Sequence, residues 1–314
     1  MEARESDAEA PSDDGPVDRP LPHLDGVRHL MVELPDGLRM HVAEAGAGEP
    51  LVLLHGFPQH WWGWRKVIPA LAAHHRVTAP DLRGAGWTEA TTGGYTEEQL
   101  VADIVALLDA LGLDRVSLAG LDIGGTLGFR VCLAHPERVR RFVSLAAPHP
   151  YPVLSMGVML RTWQLWPGFA TALPALGPRL LSRGRLPRRM MLGSSVAPDT
   201  WSAEDLDLFL GRLRDPARAR AAAATYRALA LGSARRAAAG AYRTTRLVTP
   251  TLMLYGTVLY DGDRDAAGHP GLLHGYEEHA DDVTLAHVPR AGYYLAEEQP
   301  ETVARHLLTF LAGP

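Results

Sequence analysis

A chain of 314 residues with a formal net charge of −5 and 46% apolar residues has neither the basic balance of a nucleic-acid binder nor the composition of a disordered polymer. Its one cysteine, Cys132, closes no intramolecular disulfide and builds no thiolate metal cluster, so a reducing, cytoplasmic setting is expected. No stretch reaches the roughly 18 consecutive apolar residues that cross a bilayer, and any Schiff-base chemistry would rest on the single lysine, Lys66. What remains is a small-molecule partner, with no nucleic acid or membrane implied; no metal or cofactor is expected, and the chain is expected as a monomer or homodimer.

Residues 1–25 are acidic and proline-rich, with no basic start or apolar run, and read as a flexible tail. His29 to Leu34 and Leu38 to Ala43, around Pro35-Asp36-Gly37, form an expected hairpin. From Leu51 the pattern changes: LVLL at 51–54, VTA at 77–79, VSLA at 116–119 and FVSL at 142–145 alternate with helical stretches, of which Thr96 to Leu111 is the clearest. Such alternation predicts parallel strands joined by crossover helices. Between Pro148 and about Arg246 the strands stop, and a helical, arginine- and alanine-rich segment is broken by Pro167, Pro174, Pro178, Pro187 and Pro198. TLMLY at 251–255 and VTLAHV at 283–288 resume the strand pattern, and Pro300 to Leu311 closes with a helix. The expected architecture is α/β: a mostly parallel sheet flanked by helices, its core in two parts (26–148 and 247–314) and a helical cap inserted between them (149–246). The arginine runs of the insertion read as solvated helix faces, given the acidic balance of the whole chain.

Gly120-Leu121-Asp122-Ile123-Gly124 directly follows VSLA and leads into a helix, the context of a nucleophile elbow, in which the middle residue is strained and flanking glycines let strand and helix approach. A carboxylate, Asp122, stands where such turns usually carry serine. His55-Gly56-Phe57-Pro58 follows LVLL, where a loop can offer a backbone N–H to developing negative charge. Phe57 and Ile123 are the expected donors, and His55 reads as structural. Trp61, Trp62 and Trp64 could line a pocket for a flat substrate or serve as packing; Trp61, Trp62 and Tyr255 are the candidate substrate contacts.

HGFPQHWWGWRKVIPAL, APDLRGAGWTE, GLDIGG, AHPERVRRFVSL and ADDVTLAHVPRAGYYLAEEQPETVARHLLTFL together span most of residues 51–314 and resemble the epoxide hydrolase and haloalkane dehalogenase branch of the α/β-hydrolase superfamily. The resemblance implies that Asp122 attacks a carbon electrophile to form an alkyl ester, which activated water then hydrolyses. It implies that Tyr226, in Thr225-Tyr226-Arg227, donates a hydrogen bond to the epoxide oxygen, and that Arg83 is structural. Ile123 stands where dehalogenases hold halide with a tryptophan, which favours the epoxide side. Two positions depart from the pattern. Gly292-Tyr293-Tyr294 replaces the glycine-histidine motif that carries the base, and Leu259 replaces the acid that orients it, with Asp261 two residues late. Tyrosine, with a reference pKa near 10, is a poor base at neutral pH. His149, after FVSL, is the candidate substitute, whereas His287 reads as a packed strand residue.

Three functions follow. The first is an epoxide hydrolase-like enzyme acting through Asp122 and Tyr226 on a small hydrophobic, natural-product-like epoxide. The second is a non-hydrolytic enzyme using Asp122 as a general base for elimination, isomerisation or cyclisation. The third is a catalytically inactive ligand-binding member of the fold.

Overall fold

The computed structural model describes residues 19–151, 170–183, 185–232, 235–236, 239–258 and 275–313. The expected opening hairpin is β1 (Val27–Glu33) and β2 (Arg39–Ala45), closed by a turn in which Gly37 adopts a φ of 85° and the Asp36 carboxylate accepts the Leu38 N–H at 3.1 Å. β2 continues to Ala45 because its far end pairs with β4.

β3 (Glu49–Leu54), β4 (His75–Pro80), β5 (Val116–Leu121), β6 (Val139–Leu145), β7 (Thr251–Gly256) and β8 (Val283–Val288) complete an eight-stranded sheet of order β1-β2-β4-β3-β5-β6-β7-β8. β1 and β2 join antiparallel, and β4 through β8 run parallel to one another with β3 between β4 and β5. Every residue of β5 and of β7 is buried, as helices on both faces of a parallel sheet require.

On one face Trp61, Trp64, Ile68 and Leu71, the last two in α1 (Ile68–Ala72), pack with Val303 and Leu307. On the other, α2 (Glu97–Ala110) and α3 (Ile123–Ala134) bury Leu100, Ile104, Leu108, Leu127 and Val131. Leu100, Ile104 and Leu108 recur every four residues, the spacing of one helix face, and Thr96 caps the start of α2 by accepting the Gln99 N–H at 3.2 Å.

Between β6 and β7 the described chain is helical: α4 (Leu176–Ser182), α5 (Arg185–Gly193), α6 (Ala203–Gly211) and α7 (Pro216–Tyr226), which continues as a wider turn over Arg227–Gly232. Ser202 and Asp215 cap α6 and α7, and Pro216 occupies the first turn of α7, where its missing N–H costs nothing. After β8 come α8 (Leu295–Glu298) and α9 (Pro300–Ala312).

The insertion is tied to the core by buried arginines. Arg212 donates to Gly86 O at 2.5 Å and lies 4.8 Å over the Trp87 ring, and Arg65 pairs with both Glu297 of α8 and Asp205 of α6. Within the core itself, Arg83 donates to Asp103 at 2.6 and 2.7 Å and to Asp36 at 2.5 Å. The end of the expected tail is a correction: from Arg19 onward the chain lies on the protein, with Arg19 O accepting the Trp87 indole N–H at 2.9 Å and its side chain paired to Asp207. Among the described residues no helix is long and apolar enough to cross a membrane.

Candidate active site

β5 ends at Leu121 and α3 begins at Ile123, so Asp122 alone makes the turn between them, with φ 54° and ψ −118°. A side-chain-bearing residue at such a φ is strained and persists only where its surroundings hold it. Here the holding is steric. A Cβ on Gly120 would lie 2.3 Å from Gly124 O, and one on Gly124 would lie 2.3 Å from Leu54 O. A Cβ on Gly56 would fall 2.8 Å from the Asp122 Cβ, so glycine there lets the loop after β3 press against the elbow.

That approach brings the Phe57 N–H to Asp122 Oδ2 at 2.9 Å. The Ile123 N–H, at the positive end of α3, also bonds the carboxylate. Of the two expected donors, Phe57 bonds Oδ2 and Ile123 stands beside the carboxylate. The other oxygen, Oδ1, accepts the Tyr293 hydroxyl at 2.5 Å. Burial pushes the Asp122 carboxyl above its ordinary range, while the bonds from Tyr293, Phe57 and Ile123 pull the other way without cancelling it.

Tyr226, at the end of α7, sets its ring edge-to-face on Phe57 with centroids 5.5 Å apart. Burial, then the charge of Asp122, push its hydroxyl up, which keeps it a proton donor at neutral pH. Tyr294 was missed by the sequence reading, which stopped at the first tyrosine of the pair. It is 3% exposed, packs edge-on against Tyr293 and Trp201, and is pushed up by burial and then by Asp122, Glu298 and Tyr226. The doubled tyrosine after Gly292 was its only signal. Tyrosines therefore stand around the carboxylate where the resemblance led to imidazole.

His55 is fully enclosed: its Nδ1–H donates to Gly56 O at 2.9 Å and its Nε2 accepts the Leu82 N–H at 2.9 Å. Both ring nitrogens hold the loop, and burial keeps the ring neutral. His149 accepts the Tyr151 N–H on Nδ1 at 3.1 Å and sets its ring edge-on to Tyr276. Two candidate substrate contacts are corrected. Trp61 is 0% exposed within the core beneath β3 and β4, and Tyr255 is 1% exposed with its hydroxyl donating to Ala147 O at 2.7 Å. Trp62 is half-buried between core and insertion, its indole N–H donating to Asp205 at 3.2 Å. Leu259 and Asp261 lie outside the described residues.

A cavity of about 40 Å³, enough for a few waters, lies between the His55–His60 loop, Leu82–Gly86 and the α6 and α7 helices. Gly56, Phe57, Ile123 and Thr225 line it; Asp122 does not. No group of three or more His, Cys, Asp or Glu among the described residues could hold a metal ion.

Residues 49–264 match the family model of the alpha/beta hydrolase fold. The chain is 31% identical over 286 residues to the soluble epoxide hydrolase of Corynebacterium sp. (strain C12), covering 88% of this chain and 95% of that one. Among solved structures it is similar to wild-type Cfl2 from Burkholderia cenocepacia, with a TM-score of 0.78, 30% identity and 93% and 98% of the two chains covered. It is also similar to the epoxide hydrolase CorEH without ligand, with a TM-score of 0.78, 28% identity and coverage of 91% and 99%. An eight-stranded, mostly parallel sheet, an elbow at its centre and these relatives along nearly the whole chain make this protein an epoxide hydrolase-like member of the α/β-hydrolase family.

Proposed function

We propose that the protein opens a small hydrophobic epoxide with Asp122 as nucleophile. The observation that carries this is the Asp122 carboxylate itself, raised on a strained turn with Oδ2 accepting the Phe57 N–H at 2.9 Å and the Ile123 N–H beside the carboxylate. Oδ1 attacks an epoxide carbon, a C–O ester bond forms, the ring C–O bond breaks, and the leaving oxygen takes the Tyr226 proton. The Tyr226 hydroxyl is protonated at neutral pH, and although burial makes it a weaker acid, an alkoxide is basic enough to take its proton.

Water then attacks the ester carbon, with negative charge gathering on Oδ2 beneath the same two N–H groups. As the Asp122 Cγ–Oδ1 bond breaks, Tyr293, already bonded to Oδ1, hands its proton to the departing Oδ1 and recovers one from the attacking water, whose second proton restores Tyr226 and leaves Asp122 a carboxylate. A tyrosine activates water less well than an imidazole at neutral pH, so ester hydrolysis is the slow step and the ester accumulates. Mixing the protein with a panel of hydrophobic epoxides and measuring intact mass tests this: an adduct of one epoxide mass, located on Asp122, followed by diol release. Absence of both across the panel overturns it. Tyr293→Phe should still form the adduct and release diol roughly 10²–10⁴-fold more slowly, the range for losing a proton donor.

A second reading is favoured by the Tyr293 hydroxyl standing on Oδ1 where the resemblance led to a base. Asp122, its carboxyl pushed up by burial, would then take a proton from a hydroxyl of the substrate, whose oxygen opens the epoxide while Tyr226 protonates the released alkoxide. Turnover in heavy-oxygen water separates the two, since label entering Asp122 and the product excludes this cyclisation.

A further inference from the structure

The loop that carries Tyr293 is not held by the core alone. Tyr293 N–H donates to Ser194 O of the insertion at 3.2 Å. One residue earlier, the Gly292 N–H donates to Glu298 Oε2 at 2.7 Å, and the other oxygen of that carboxylate accepts the N–H of Val196, again from the insertion, at 2.6 Å. Glu298 is itself anchored by its N–H to Tyr294 O at 3.0 Å. Gly292 has no room for a side chain here, since a Cβ would meet Ser194 O at 2.9 Å, so the two backbones are in direct apposition.

We infer that Glu298 is a positioning residue for Tyr293: its carboxylate clamps the Gly292 turn to the Ser194–Val196 segment and so sets the Tyr293 hydroxyl on Asp122 Oδ1. The inference rests on the ester mechanism proposed above. Bonds from neutral N–H groups to a carboxylate are roughly twice as strong as neutral ones, and one carboxylate here collects a donor from each side of the junction. The Tyr293 hydroxyl is then placed by a short run of bonds from insertion to carboxylate. A small displacement of that hydroxyl is enough to slow protonation of Oδ1. The insertion thereby completes the site without any of its own side chains entering this step.

The test is a double-mutant cycle in the full chain, reading the rate at which the Asp122 ester decays after a single charge of epoxide. Glu298→Ala should slow decay roughly tenfold while the ester still forms. Glu298→Gln, which keeps one acceptor, should recover part of the loss. In a Tyr293→Phe background both substitutions should change decay by less than twofold. Additive effects would overturn the inference, because Glu298 would then act independently of Tyr293; if Glu298→Ala does not fold, Glu298→Gln completes the cycle. A readout free of turnover stands beside it: the hydroxyl proton resonance of Tyr293, bonded to Asp122 Oδ1, should vanish in Tyr293→Phe and shift in Glu298→Gln. An unshifted resonance overturns the clamp. Failure of the wild type to form any adduct instead sinks the epoxide reading and leaves the resonance to decide on Glu298.

Discussion

The Asp122 carboxyl is disfavoured in its charged form by burial even after three donors have bonded it, and this has a consequence for stability. A carboxyl whose folded pKa lies above its unfolded value holds its proton longer when folded. Its contribution to stability is therefore present at low pH and declines as pH rises through the interval between the two. Asp122→Asn removes that cost and keeps a carbonyl oxygen for the Phe57 N–H, while its amide can donate to the Tyr293 oxygen. The expected outcome is abolished ester formation with a melting temperature above wild type at pH 7. The gap should close as pH falls into the ordinary carboxylate range. Melts across pH check it, and a variant less stable than wild type at pH 7 would contradict the burial argument. Asp122, Phe57 and Ile123 were legible in the sequence because an elbow is a local object, set by five residues and the strand before them. Trp61 and Tyr255 misled because burial is tertiary: nothing in their neighbours says which face of the sheet receives a side chain.

At the scale of elements, the alternation of apolar runs with helical stretches located the strands to within a few residues, and VTLAHV coincides with β8. Buried parallel strands are short, continuous and β-branched, so their signal survives without context. The helices of the insertion were not separately legible. They are seven to eleven residues long, interrupted by proline, and held by contacts to one another and to the core rather than by their own propensity. The crossing of β3, the elbow and α3 leaves no room for a side chain at Gly124, and Gly124→Ala tests it. Its new Cβ would face Leu54 O at 2.3 Å and His55 O at 2.6 Å, and backbone cannot swing aside as a side chain end can. A loss of about 2 kcal/mol or more is expected, with retreat of the His55–Phe57 loop and loss of the Phe57 bond to Asp122. Denaturant midpoints measure the first and adduct formation the second. A fully stable, fully active Gly124→Ala would mean that the elbow is not packed as described.

Across the whole molecule, core and insertion meet on a buried histidine. His60 is 1% exposed and sits edge-on to Trp87 of the core at 4.9 Å, with Phe209 of α6 at 5.0 Å on its other side. Its Nε2–H donates to Leu208 O at 3.4 Å. Burial lowers its pKa to about 4, against the opposing pull of Asp81. The unfolded chain therefore takes up a proton as pH falls through about 6.5, and the folded chain does so only near 4. Stability contributed by this group is complete above about pH 6.5 and drains away as pH falls to 4, by about 3 kcal/mol. His55, also lowered by burial, adds in the same direction. Asp81 acts lower on the scale: burial works against its charge, yet the His41 hydrogen bond and the neighbouring histidines hold it at about 2, so its contribution is lost only as pH falls from the ordinary carboxylate range through 2. Because the added proton must sit on Nδ1, which now accepts the Trp62 N–H at 3.4 Å, the acid transition should begin at this junction of core and insertion. His60→Gln should lie below wild type at pH 7, having lost ring packing, and should show a flatter decline between pH 6.5 and 4. Melting temperatures of the two proteins over that range, with Trp62 fluorescence reporting the junction, decide it. Parallel declines would assign the acid sensitivity to other groups and leave His60 with packing alone.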